Sequence, residues 1–134
     1  MPEIAAFVSR GATTITPAIV EKVLRHLPQW KLEFTQIREP LFPHLAEQLE
    51  FLANAVEDFA EGVYKDLPYY AFAQAVFALI YSHKKVGIIP DTFLNLGRAD
   101  DSSVVRAVLI QNEKAFAIYA ATQDLEWSRI TSQP

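Results

Sequence analysis

Between residues 45 and 63, Leu45, Leu49, Leu52, Val56, Phe59 and Val63 recur at steps of 4, 3, 4, 3 and 4. That step lays them along one stripe of a helix, with Glu47, Glu50, Glu57, Asp58 and Glu61 largely outside it as a solvated face. Pro43 suits the first position of this helix, where no backbone N–H is needed, and the pattern predicts a helix from there to about Lys65.

Thr16 followed by Pro17 is a helix-start pair, because the Thr hydroxyl can cap free N–H groups and Pro is tolerated next to it. Val20, Val23, Leu24 and Leu27 then share a face, and Pro28 is expected to end the helix. Over residues 30–37, Trp30, Leu32 and Phe34 alternate with Lys31, Glu33 and Thr35. This fits a short strand or extended arm, and equally a loop or frayed helix, since no partner strand is evident.

A further helix is predicted from Asp66 or Pro68 to about His83, apolar nearly all round and therefore packed on several sides. Asp100, Asp101, Ser102 and Ser103 open a last long helix carrying Val105, Val108, Leu109, Phe116 and Tyr119, with Asn112 on the same stripe. The pattern loses regularity after Thr122, although Leu125, Trp127 and Ile130 are available to dock. With no repeat or Gly/Ser linker, the expectation is one domain over residues 1–134, an all-α compact bundle of four to five helices.

Composition narrows the function classes. A chain of 134 residues with 51% hydrophobic and 21% charged residues can bury one core unaided. Its 12 basic and 16 acidic residues give a net charge of -4, and the basic ones form no stripe, so nucleic-acid binding is not expected. The absence of cysteine excludes disulfides, zinc-thiolate sites and thiol nucleophiles. Residues 1–11 lack the basic start and long apolar core of a signal peptide, which makes a cytoplasmic location the expectation. Residues 67–82 carry no charge but are shorter than the roughly 20 residues that span a bilayer. A core helix is the expected reading there, and peripheral membrane contact the alternative.

Candidate chemistry concentrates in residues 86–101, where Asp91, Asp100 and Asp101 flank an apolar stretch containing Pro90 and Gly97. Pro90 holds Ile89 extended, Asp91 and Thr92 can cap a short turn, Gly97 allows a bend, and Asp100 and Asp101 suit the positive end of a helix. The alternative is that Asp91, Asp100 and Asp101 hold Mg²⁺ or Ca²⁺, with His83 nearby as a proton-transfer group. His26, His44 and His83 lack the i, i+4 spacing of a helical metal site, and no Gly-x-Ser-x-Gly or phosphate-binding Gly-rich loop is present. Tyr69, Tyr70, Phe72, Phe77 and Tyr81 are expected in the core, a ligand pocket between helices being the other use for them.

The same segment resembles the signature of the YkvA-like family, a bacterial domain of unknown function. Tyr81 ends the preceding helix, Ile89-Pro90-Asp91 matches the centre, Phe93 and Leu94 the apolar stretch, Gly97 the Gly, and Asp100-Asp101 the acidic pair. The resemblance covers residues 68–110. Gly87 stands where the family carries its first Asp, and Lys85 where it commonly carries Pro. The resemblance implies a helical domain and brings no reaction with it. The expected function is a noncatalytic module that meets a partner protein, a second copy of itself or a membrane surface. A divalent-metal-dependent, hydrolase-like enzyme built on the Asp cluster is the alternative.

Overall fold

Seven helices run through the residues that the computed structural model describes, 2–37, 42–83 and 101–130, with no strand among them. They are α1 (Pro2–Ala12), α2 (Pro17–Phe34), α3 (Leu45–Ala60), α4 (Tyr69–Tyr81), α5 (Asp101–Gln111), α6 (Glu113–Thr122) and α7 (Trp127–Ile130). The all-α bundle follows the hydrophobic pattern, with more elements than the four to five expected.

The middle of the bundle is α4. Every residue from Ala71 to Tyr81 is buried, and the helix touches α1, α2, α3 and α5. A helix apolar on all sides needs neighbours on all sides, and its sequence offers no face to water. The one amide side chain in that stretch, Gln74, accepts a hydrogen bond at 2.7 Å from Asn112 Nδ2, which also donates to Val108 O at 2.9 Å.

That amide explains why the last long helix is two. The backbone at Asn112 (φ -118°, ψ 29°) leaves the helical region, so α5 ends at Gln111 and α6 begins at Glu113. Side chains that bond nearby carbonyls compete with the helix ladder, and here a second partner on α4 holds the amide in place.

The end of α3 falls before the expected Lys65 for a similarly local reason. Gly62 takes φ +79°, Gly62 N–H donates to Phe59 O and Val63 N–H to Asp58 O, closing the helix with a left-handed cap. Leu45, Leu49, Leu52 and Val56 are buried as the stripe requires, Phe59 is half-buried, and Val63 is 71% exposed because it lies past the cap. The same device ends α6, where Asp124 has φ 56° and Leu125 N–H donates to Ala120 O. The chain then turns into α7, where Ile130 is buried and Trp127 rests 5.8 Å from Phe51, while Leu125 stays exposed.

Two expectations are corrected. Pro28 does not end α2, and residues 30–34 are neither strand nor arm. Thr16 caps the helix by accepting from Ile19 N–H, and the buried face continues past the proline through Val23, Leu27, Trp30 and Phe34. Losing one N–H at an exposed proline costs less than exposing Trp30 and Phe34. In the alternation that suggested a strand, Leu32 is 64% exposed, as a helix stripe demands.

The other element not foreseen is α1. Phe7 and Val8 are buried, with Phe7 meeting Phe77 and Tyr81 edge to face at 5.4 and 5.5 Å. Near its end Gly11 lets the α1 backbone close on the Phe77 ring, because a Cβ there would run into that ring. Phe77 is itself fully buried and has no free direction to move. Gly11→Val is therefore expected to destabilise the fold by about 1–3 kcal/mol, a fall of several degrees in the circular-dichroism melting temperature. An unchanged or raised melting temperature would contradict the close approach.

Candidate functional site

The C-terminal end of α4 meets the C-terminal end of α2 around His83. Its ring stacks on Trp30 at 4.4 Å with planes 14° apart, and Phe34 approaches edge-on at 5.7 Å. On α2, His26 lies parallel to Trp30 at 5.9 Å. These contacts exist because α2 continues through Pro28 and presents Trp30, Glu33 and Phe34 at i, i+3 and i+4.

His83 Nε2 lies 3.4 Å from Glu33 Oε1, and its Nδ1 is buried with no hydrogen-bond partner among the described residues. Beside it a cavity of about 340 Å³ is lined by Glu33, Phe34, Ile37, Leu45, Leu49, Ser82, His83 and Asp101. Four of these side chains are apolar, and the others are two carboxylates, an imidazole and a hydroxyl that donates to Ala78 O.

The expected site residues are thus partly assembled. His83 and Asp101 reach one cavity, whereas Asp91 and Asp100 lie outside the described residues, as does the rest of the 86–101 signature before Asp101. Asp101 is the first residue of α5, where its charge suits the helix dipole. Among the described residues, no group of three or more His, Asp or Glu side chains could hold a metal ion. Glu33 was not foreseen, and its signal was the spacing from Trp30, visible only once the helix is carried past Pro28.

A second concavity of about 420 Å³ lies at the opposite end of α4. Pro17, Val20, Glu21 and Leu24 of α2, Phe59 and Ala60 of α3, and Tyr69 and Phe72 of α4 form its walls. Phe59 and Phe72 meet at 4.8 Å across its floor. Of the five aromatics considered for a pocket, Phe77 and Tyr81 are core and Phe72 is almost wholly buried, whereas Tyr69 and Tyr70 are 57% and 61% exposed.

Two phenols are held protonated above the ordinary range. Burial raises Tyr119 most, helped by its 2.6 Å hydrogen bond to Asp58 Oδ2 and by the charges of Asp58 and Glu57. Burial, then the charge of Asp66, raises Tyr64, which packs edge-on against Tyr119. Both move away from neutrality, opposite to what an acid-base catalyst requires. Lys31 Nζ and Glu57 Oε1, 2.6 Å apart, tie α2 to α3. No described helix is long and apolar enough to cross a membrane.

Comparison of the chain with family models, curated proteins and solved structures returns no match.

The His83 ring should matter as a stacked plane. His83→Ala is expected to lower stability by about 1–2 kcal/mol in urea unfolding, and His83→Phe to retain most of it. Equal losses in both would show that the Trp30 stack is not what the ring contributes.

Proposed function

We propose that this protein is a noncatalytic interaction module that takes an apolar, basic-edged helical segment of a partner protein in the groove between α2, α3 and α4. The observation that carries this reading is the groove itself. Three helices converge there on an apolar floor, and Tyr69, Tyr70 and Val63 are exposed along the same end of the molecule. Grooves of this kind accept the apolar face of a helix through side chains one turn apart. Isolated exposed apolar residues are ordinary, but a concave apolar surface beside exposed aromatics calls for an occupant.

Charge selects the occupant. Glu21 stands in the wall, and the connection from α3 to α4 carries Glu61 and Asp66 against the single base Lys65, in a chain of net charge -4. Anionic lipid headgroups would be repelled, whereas a Lys or Arg flanking the partner's apolar residues would be drawn in. The Ile89-Pro90-Asp91, Gly97 and Asp100-Asp101 pattern supports membership in the YkvA-like domains, which carry no assigned reaction to set against an interaction role.

A photo-crosslinking phenylalanine analogue in place of Tyr70, introduced into the intact chain in cells that make it, tests the reading. The expected result is an adduct with a discrete protein that is lost when Val20→Glu is added, with the thermal melt of that variant confirming a folded chain. Absence of an adduct, an adduct indifferent to Val20→Glu, or recovery of the chain on anionic vesicles instead would contradict it.

A further inference from the structure

The groove between α2, α3 and α4 has a counterpart on the outer face of α5 and α6. Ile110, Lys114 and Ile118 follow one another at steps of four, about one per turn, and all three are exposed, the two isoleucines by 57% and 56%. The break at Asn112 does not scatter them. Asn112 N–H still donates to Val108 O and Phe116 N–H to Asn112 O, so the helical bonding step is kept on both sides of it. Ala107, before Ile110, and Ala121, after Ile118, are small, which leaves the isoleucines standing as a ridge.

Ridge and groove match in length and in the order of their side chains. Along α2 the lining runs from Pro17 through Val20 and Glu21 to Leu24, about 10 Å at the helical rise, and Ile110 and Ile118 stand about 12 Å apart on the same measure. Glu21 is the one charged side chain among the described lining residues and lies midway along α2's share of the groove, as Lys114 lies midway between the isoleucines. In either direction of approach the base meets the acid while apolar side chains meet on both sides. Glu21 and Lys114 are both exposed and make no ion pair among the described residues. Lys22 and Arg25 of α2 do not line the groove, and beside the ridge Arg106 offsets Glu113, so this one pair sets the sign of the match.

We propose that the occupant of the groove is the 110–118 ridge of a second copy of this chain, a proposal that rests on reading the groove as the seat of an apolar, basic-edged helix. Ile110 and Ile118 seat among Leu24, Phe59 and Phe72, and Lys114 pairs with Glu21. No residue of the ridge lines the groove of its own chain, so the match is used only between two molecules. The contact is heterologous, each copy offering its groove to one neighbour and its ridge to another, and copies join head to tail. A two-fold contact of groove with groove would set Glu21 near its own counterpart, and one of ridge with ridge would do the same to Lys114.

Sedimentation velocity of the purified full chain from micromolar to millimolar concentration is the test. The sedimentation coefficient is expected to rise with concentration, and to rise less in molar salt, which screens the pair. Ile118→Glu, Lys114→Glu and Glu21→Lys should each weaken association by at least about tenfold. All three positions are exposed, so the fold is not at risk. The deciding result is complementation: Ile118→Glu keeps its groove and Glu21→Lys keeps its ridge, so a mixture of these two variants should associate again, and only as far as a pair. Glu21→Lys and Lys114→Glu together in one chain should likewise recover association. A chain monomeric at millimolar concentration, association indifferent to Glu21→Lys, or a mixture no better than its parts would each overturn the proposal. A monomeric chain that still gives the Tyr70 adduct with a different protein removes the second copy and leaves the groove reading intact, whereas absence of any adduct removes both.

Discussion

Burial of α4 on all sides is the constraint from which the rest of the architecture follows. From Ala71 to Tyr81 every residue is buried, so the helix has no stable existence apart from its neighbours. Each neighbour answers a different part of its surface. Phe7 and Gly11 close on Phe77, Phe59 reaches Phe72, and Asn112 supplies the hydrogen bond that Gln74 needs. The helix thereby dictates a glycine in α1, a break between α5 and α6, and the extension of α2 toward His83.

A helix buried along its length can be reached only at its ends, and both candidate sites lie there. At the N-terminal end, Tyr69 and Phe72 join α2 and α3 around an apolar groove. At the C-terminal end, Ser82 and His83 join Glu33 and Asp101 around a cavity whose described lining is half polar. The two differ in chemistry because α3 and α2 meet α4 in opposite directions. The end of α3 and start of α2 bring Phe59, Val20 and Leu24, while the end of α2 brings Glu33 beside Phe34.

Much of this was legible in the chain. The stripe from Leu45 to Phe59, the Thr16-Pro17 start of α2 and the all-apolar character of α4 are local patterns, and burial follows them. What was not legible depends on distant partners. Pro28 reads as a stop until the burial of Trp30 and Phe34 is weighed against one lost hydrogen bond, and α1 shows its role only when Gly11 meets Phe77. Asn112 looked like a polar residue on a core stripe, and its partner Gln74 is 38 residues away. The site divided in the same way. His83 and Asp101 were anticipated and share a cavity, whereas Glu33 was hidden by the strand-like alternation around it.

Native-state hydrogen exchange measured residue by residue tests the dependence of the fold on α4 most directly. If α4 is the element on which the others rest, the amides of Ala75, Val76, Phe77, Ala78 and Leu79 exchange only through global unfolding. Those of the short helix α7 should open at lower free energy. Exchange of the α4 amides through a local opening, while α2 and α3 remain protected, would contradict the account.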